Sequence, residues 1–474
     1  MVASIIESDV PARLDRLPWS GWHLRIIVAL GTSWILDGLE VTLVGSLSGI
    51  LQSKDGLSLS DEAVTGTATA YLLGAVIGAL FFGRLTDRHG RRRLFLVTLA
   101  TYSLATLCSG FAVNLPMFLA CRFVTGLGIG GEYAAINSAV DELVPSKVRG
   151  TVDLIVNATF WAGAIIGSFA ALLLMAGHGI PLSLGWRFAF GIGGALGMAV
   201  LLLRLAVPES PRWLMLRGRE AESNQVMAQI EQKVAASGGQ ISSQPADKLR
   251  IRPRDHTPWG EIFRNMLGPN RQRSILGLVL MAGQAFFFNA VFFTFGLIAK
   301  SYYHVPDTRL PLELLPFTIG SFLGPVLLGT LFDRIGRKPM ITASYGISGV
   351  LLLVVAILFS QGSLQLTGMK VCFAIIFFVA SSAASAAYLT VSEIFPLEIR
   401  AIAIAIFYSL GTAIGGVGAP LLFGILISHG RVQVAWGYAL GAALLIGGAI
   451  CELFLGVEAA GRSLESVSKP LQAE

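Results

Sequence analysis

"GRLTDRHGRRR" (83–93) and "GTLFDRIGRKP" (329–339) decide how this chain is organised. Each is a basic elbow wedged between apolar stretches. "AYLLGAVIGALFFG" (70–83) leads into the first, which packs five arginines into ten residues, and "LFLVTLATYSLATL" (94–107) leads out of it. Asp87 and Asp333 hold the same place in the two elbows, 246 residues apart (333 − 87). A second pair repeats as well: "DELVPSKVRG" (141–150) and "SEIFPLEIRA" (392–401), with Pro145 and Pro396 separated by 251 residues (396 − 145). Two unrelated motifs recurring at nearly one offset indicate a duplication, with two halves related by an axis along the membrane normal.

The elbows join membrane spans. Of 474 residues, 54% are hydrophobic and 14% charged, against about 25% charged in an ordinary soluble domain. The 54 glycines fall largely inside apolar runs, which suits close helix packing in lipid. A ruler of about 20 apolar residues per crossing gives twelve segments. They are 26–50, 64–83, 94–113, 117–140, 151–176 and 187–206, then 274–299, 312–332, 340–360, 369–391, 402–428 and 434–456. The fold class that follows is an all-α integral membrane protein of 12 transmembrane helices in two pseudo-symmetric six-helix bundles. The chain divides into an N-terminal segment (1–25), a first bundle (26–206), a linker (207–273), a second bundle (274–456) and a tail (457–474).

Charge orients it. With the N-terminus inside, 28 of the 35 Lys and Arg residues fall on one side, as the positive-inside rule requires. The net charge of +6 is thus a topology signal and not a nucleic-acid patch. The termini and linker are placed in the cytoplasm, and the polar first 25 residues show no apolar signal core. In the linker, "REAESNQVMAQIEQKV" (219–234) reads as an amphipathic helix and "AASGGQISSQPADKLRIRPRDHTP" (235–258) as a flexible stretch. The four cysteines lie singly in apolar runs, and no metal or cofactor motif is present.

Several motifs in order resemble the major facilitator superfamily, in its sugar porter and metabolite/proton symporter branch. The elbow Gly83-x-x-x-Asp87-Arg88-x-Gly90-Arg91-Arg92 is similar to the loop between spans two and three of that family. "RFVTGLGIGGE" (122–132) resembles its span-four pattern, "PESPRWL" (208–214) its signature after span six, "QAFFFNAVFF" (284–293) its span seven, and "VEAAGRSLE" (457–465) a decayed form of its tail motif. The resemblance implies two bundles rocking around a central site, and a monomer that uses the proton gradient rather than a cofactor. The cytoplasmic gate it implies would comprise Asp87, Arg88, Arg91, Arg92, Glu142, Arg149, Glu209, Arg212, Asp333, Arg334, Arg337, Glu393 and Arg400. The alternative for the elbows is topology alone.

Buried charges carry the coupling question. Asp37 and Glu40 in span one share a helix face by their spacing of three. Glu132 lies near the middle of span four, and Arg122 near its far end is the only cation expected close to the set. Each isolated charge near the bilayer centre costs about 2.5–3.5 kcal/mol, so these four must pair, face the interior or hold protons. Arg122 is expected to pair with Asp37 or Glu40. All six histidines fall in terminal or loop segments, so proton coupling, if not a static ion pair, runs through Asp37, Glu40 or Glu132.

For the solute, "DGLE" (37–40) resembles the span-one motif of aromatic-acid/proton symporters. Asn157, Gln284 and Asn289 fall where sugar porters place amides. Gly283, Tyr388 and Gly411 depart from that pattern, and Tyr388 joins the candidate binding set. Phe286, Phe287, Phe288, Phe292 and Phe293 either wall the site or face lipid. The favoured reading is a symporter of a small organic carboxylate; sugar or polyol transport, drug or metabolite export and a ligand sensor stand as alternatives. No enzyme motif is present.

Overall fold

The computed structural model describes residues 5–473 except 176–180, 242–247, 255, 293, 307 and 308. The chain opens with strand β1 (Ile6–Ser8) and helix α1 (Val10–Asp15). Six long helices follow: α2 (Gly21–Gln52), α3 (Asp61–His89), α4 (Arg91–Ser109), α5 (Leu115–Leu143), α6 (Arg149–Met175) and α7 (Leu182–Arg204). The linker carries α8 (Pro211–Leu216), α9 (Glu220–Ala236), β2 (Leu249–Ile251) and α10 (Trp259–Leu267). The second half has α11 (Arg271–Phe292), continued by α12 (Phe295–Tyr303), then α13 (Leu310–Arg334), α14 (Arg337–Ser360) and α15 (Leu366–Ile394). Its fifth crossing is composite: α16 (Arg400–Gly411), a π-helical turn (Thr412–Gly418) and α17 (Ala419–His429). α18 (Arg431–Leu455) and the short α19 (Leu464–Val467) end the chain.

Ten of these segments, among the described residues, are long and apolar enough to cross a membrane. α4 and α5 complete the twelve. α4 begins with three arginines, and α5 carries Arg122, Glu132, Asp141, Glu142 and four glycines, which dilute their apolar character. Helices are the form these apolar runs must take, because lipid offers no partner to an open backbone group.

Small residues set the packing. α3 and α5 approach so closely that a Cβ at Gly74 or Gly78 would fall on the α5 backbone, and one at Gly126 or Gly130 on that of α3. The two halves meet through exchanged pairs: α3 packs on α16, and α6 on α13. Under the duplication α3 corresponds to α13 and α16 to α6, so the two contacts are one contact repeated about the axis.

The terminal and linker segments are docked. Arg13 of α1 grips Glu231 of α9 at 2.5 and 3.0 Å. β1 pairs antiparallel with β2, Ile6 opposite Ile251. α9 forms where its periodicity predicts a helix. The expectation of a flexible stretch over 235–258 fails for its described part, because Ile251 is buried in one cluster with Met227, Ile230 and Val234. The alternation of polar and apolar residues around 249–251 is too short to announce that strand. His178, Phe293 and part of that stretch lie outside the described residues.

The elbows turn on one glycine each. Gly90 has φ 98° and ψ 161°, and Gly336 φ 119° and ψ 158°, a region open essentially only to glycine. A Cβ there would also meet the carboxylate of Glu209 or Glu458. Gly90→Ala and Gly336→Ala are each expected to cost on the order of 1–3 kcal/mol, seen as a lower unfolding temperature of the purified protein in detergent.

Candidate functional site

A cavity of about 210 Å3 lies between the two halves. The first half contributes Trp34, Tyr71, Tyr133, Phe160 and Trp161 to its wall, and the second Phe288, Phe292, Tyr388 and Tyr408. Trp161 stands 5.4 Å from Phe288 and 5.5 Å from Phe292, ring centre to ring centre, and Tyr133 stacks on Tyr408 at 4.6 Å. Polar groups are few and uncharged, with Asn157, Gln284, Asn289, Ser381 and Ser385 among them. No Asp, Glu, Lys or Arg lines the cavity among the described residues. The π-helical turn brings Thr412 and Gly416 to the wall. Such helix irregularities recur at functional sites.

All four candidate binding residues, Asn157, Gln284, Asn289 and Tyr388, line this cavity. The Asn157 amide donates to the Asp153 backbone carbonyl at 2.9 Å, and the Asn289 amide to the Ala285 carbonyl at 2.7 Å. The phenylalanines of span seven divide. Phe288 and Phe292 reach the cavity, whereas Phe286 and Phe287 are buried in the second half's core, so none of these four faces lipid.

A layer of buried charge flanks the cavity within the first half. Arg122 pairs with Glu40 at 2.5 Å and sits over the ring of Tyr71, 4.9 Å from its centre. Arg204 pairs with Glu132 and bonds the Ser33 hydroxyl. Arg122 is therefore not the only cation in the set. The sequence reading includes Arg204 in the sixth span (187–206) without counting it among the buried charges; α7 carries it inward. Asp37 is buried and forms no ion pair among the described residues; the Tyr102 hydroxyl is the side-chain group beside it. The cavity residues Tyr71, Tyr133 and Tyr408 stand within its electrostatic reach.

At the elbow end the two halves are bolted together twice. Asp87, ending α3, accepts the backbone N–H groups of Ala401 and Ile402 at 3.3 and 3.0 Å, in the first turn of α16. Asp333, ending α13, accepts those of Gly150 and Thr151 at 3.1 and 2.7 Å, in the first turn of α6. A carboxylate on a helix N-terminus meets both free donors and the positive end of the helix dipole. Behind each aspartate stands an arginine: Arg91 bonds Glu142 at 2.7 Å, and Arg337 bonds Glu393 at 3.1 Å. Arg149 reaches Glu393 at 3.6 Å, and Arg400 reaches Glu142 at 3.9 Å, each from the opposite half.

The other gate candidates act locally. Glu209 accepts the backbone N–H groups of Arg91 at 2.8 Å and of Arg92, capping α4. Burial pushes its carboxyl above the ordinary glutamate range, against the pull of those N–H groups and of Arg91. Arg212 bonds Asp15 and Glu465 and so holds the N-terminal segment and the tail. Arg88, Arg92 and Arg334 are exposed and do not enter the contacts between the halves; helix rotation turns them outward. Glu458 was missed. It accepts the N–H groups of Arg337 and Lys338 at 2.8 and 3.2 Å, as Glu209 does in the first half. The repeat of "PES" (208–210) in "VEA" (457–459), at the duplication offset, is the signal that could have found it.

The family model of the sugar (and other) transporters matches residues 26–470. The chain is 27% identical over 467 residues to the niacin transporter NiaP of Acinetobacter baylyi, covering 97% of this chain and 99% of that one. It is 27% identical over 438 residues to the cis,cis-muconate transport protein of the same organism, covering 92% and 94%. Its fold is similar to that of the proton:xylose symporter XylE, with a TM-score of 0.74 at 19% identity, covering 94% of this chain and 98% of that one.

Replacing Asp333 by Asn leaves the N–H groups at the start of α6 with a weaker, uncharged acceptor. Loss of about 1–3 kcal/mol there is expected to raise the population parted at the elbow end by roughly five- to 150-fold. Spin labels at Arg88→Cys and Arg334→Cys, one on each half, would read this as a longer distance.

Proposed function

Because the chain belongs to the sugar (and other) transporter family, and so is a membrane transporter rather than an enzyme, we propose that it carries a small ring-bearing carboxylic acid together with a proton. The observation that supports this most is the cavity wall, with nine aromatic residues and no charged one. Rings stack on rings at a gain of about 0.5–1.5 kcal/mol beyond area burial, so such a wall favours a flat, conjugated solute over a hexose. Niacin and cis,cis-muconate, named for two relatives, are conjugated carboxylates. Gln284, Ser381, Ser385 and the Tyr388 hydroxyl supply donors for a carboxylate, and Arg122 lends its positive field through Tyr71.

The cavity opens alternately to the two sides as the halves rock. On the charge distribution the elbow end faces the cytoplasm, so the paired aspartate caps are the contacts that break when the site opens inward. Coupling rests on the buried charges of spans one, four and six. Glu40 and Glu132 are each held by an arginine, whereas Asp37 has no ion-pair partner among the described residues and only the Tyr102 hydroxyl beside it. An unpaired anion so deep in the bilayer is costly, which makes Asp37 the carboxyl that takes the proton. A solute carboxylate beside Tyr71 draws on the field of Arg122, loosening its hold on Glu40 and so altering the field at Asp37.

Proton movement in weakly buffered, de-energised cells tests this. Adding an aromatic carboxylate is expected to make the medium more alkaline, and the Asp37→Asn variant to abolish that response. If a labelled sugar equilibrates while no compound moves protons, both the coupling and the substrate class are wrong. Trp161→Ala is expected to raise the half-saturating concentration of a ring-bearing acid by about tenfold, the loss of one aromatic contact, with little effect on an open-chain one.

A further inference from the structure

Two buried carboxylates between the cavity and the elbow network belong to neither. Asp141 lies in the last turn of α5 and Asp153 in the second turn of α6, both 0% exposed. The hydroxyl of Ser392, on α15, donates to one oxygen of Asp141 across the interface between the halves. The amide of Asn157, which lines the cavity, donates to one oxygen of Asp153 at 3.2 Å. The other oxygen of each carboxylate is buried with no hydrogen-bond partner among the described residues.

Position makes the pair informative. At the duplication offset of 251 residues (392 − 141), Asp141 and Ser392 are equivalent sites, so their bond lies on the axis relating the halves. It must break whenever the halves part at the elbow end. The Asn157 amide also donates to Asn137 of α5 at 3.2 Å, which sets Asp153, one turn before Asn157, beside Asp141, one turn after Asn137, and so links that end of the cavity to the bond across the halves.

The surrounding charge does not neutralise the pair. Glu393 of α15, Arg149 at the start of α6 and Arg400 of α16 face Asp141. Asp141, Glu393 and Arg337 of α14 face Asp153. Each of these arginines already serves another carboxylate: Arg149 binds Asp15, Arg337 binds Asp333 and Glu393, and Arg400 faces Glu142. Two neighbouring carboxylates in a dry site cannot both stay ionised without a counter-charge, and they share a proton instead.

We propose that Asp141 and Asp153 hold one proton between them while the elbow end is closed and release it when that end opens. This proton site is separate from Asp37 and lies on the gate side of the cavity. The inference rests on the alternating-access reading above. The closed form binds the extra proton, so acid favours closure. Open-to-closed ratios then rise with pH, by at most about tenfold per unit for one proton.

The spin-label pair at positions 88 and 334, in full-length protein in lipid nanodiscs with the four native cysteines replaced, reads this directly. In the otherwise native chain the open population is expected to grow as the pH rises, because the closed form holds the extra proton. Asp153→Asn and Asp141→Asn are each expected to flatten that slope, and Asp153→Glu to keep it with a shifted midpoint. A native slope retained in Asp153→Asn, or no slope in the parent, overturns the proposal. If Asp153→Asn does not fold, Asp141→Asn carries the same expectation. Proton uptake with solute, read through Asp37, is a separate measurement. Its loss alongside an intact slope counts against the transport reading alone, and its persistence without a slope counts against this site alone.

Discussion

An aspartate at the end of one helix, accepting the free N–H groups that begin a helix of the opposite half, is the contact on which this structure turns. It occurs twice, Asp87 on α16 and Asp333 on α6, because the chain is duplicated. The geometry asks much of the sequence around it. Gly90 and Gly336 must take a backbone conformation closed to other residues, so that α4 and α14 can begin directly after the aspartate-bearing helices. Glu209 and Glu458 must cap the new helices. Arg91 and Arg337 must then bind Glu142 and Glu393, which brings the ends of α5 and α15 to the same layer. Each interaction is modest alone. Together they form a network in which most donors and acceptors are spoken for, and the bonds of such a network strengthen one another.

Above this layer the chemistry changes from ionic to aromatic. The cavity wall excludes charge, while the ion pairs Glu40–Arg122 and Glu132–Arg204 stand one residue layer behind it in the first half. The second half supplies amides, hydroxyls and rings but no comparable pair of buried ion pairs beside the cavity among the described residues. The halves share a fold and an elbow contact and differ in their contribution to the cavity. Duplication explains the first; divergence of the cavity-facing residues explains the second. Asp141 and Ser392 show that divergence at one position, since equivalent sites have become an acceptor and a donor for each other.

Much of this was legible in the sequence because lipid imposes simple rules. Apolar length marks the spans, basic residues mark one side, and repeated motifs mark the duplication. That Asn157, Gln284, Asn289 and Tyr388 share a cavity agrees with positions a resemblance supplied. Arg204 was not legible, because a cation at the end of an apolar run gives no sign of facing inward until α7 is seen to carry it against Glu132. The docked strand pair β1–β2 was missed for a related reason: three residues carry too little periodicity to announce a strand whose partner lies more than two hundred residues away.

By itself, the sequence determined the all-helical membrane architecture, the twofold organisation, the elbows and the inventory of buried charge, because each follows from local composition or from repetition along the chain. Only the tertiary structure decided which charges meet and which rings share a cavity. Arg122 chose Glu40 over Asp37, Arg204 claimed Glu132, Asp37 was left without an ion pair among the described residues, and Arg88 and Arg334 turned outward. Those outcomes depend on the rotation of each helix about its axis and on how closely glycine lets neighbours approach. Both are set by packing between segments far apart in sequence, which no local pattern records.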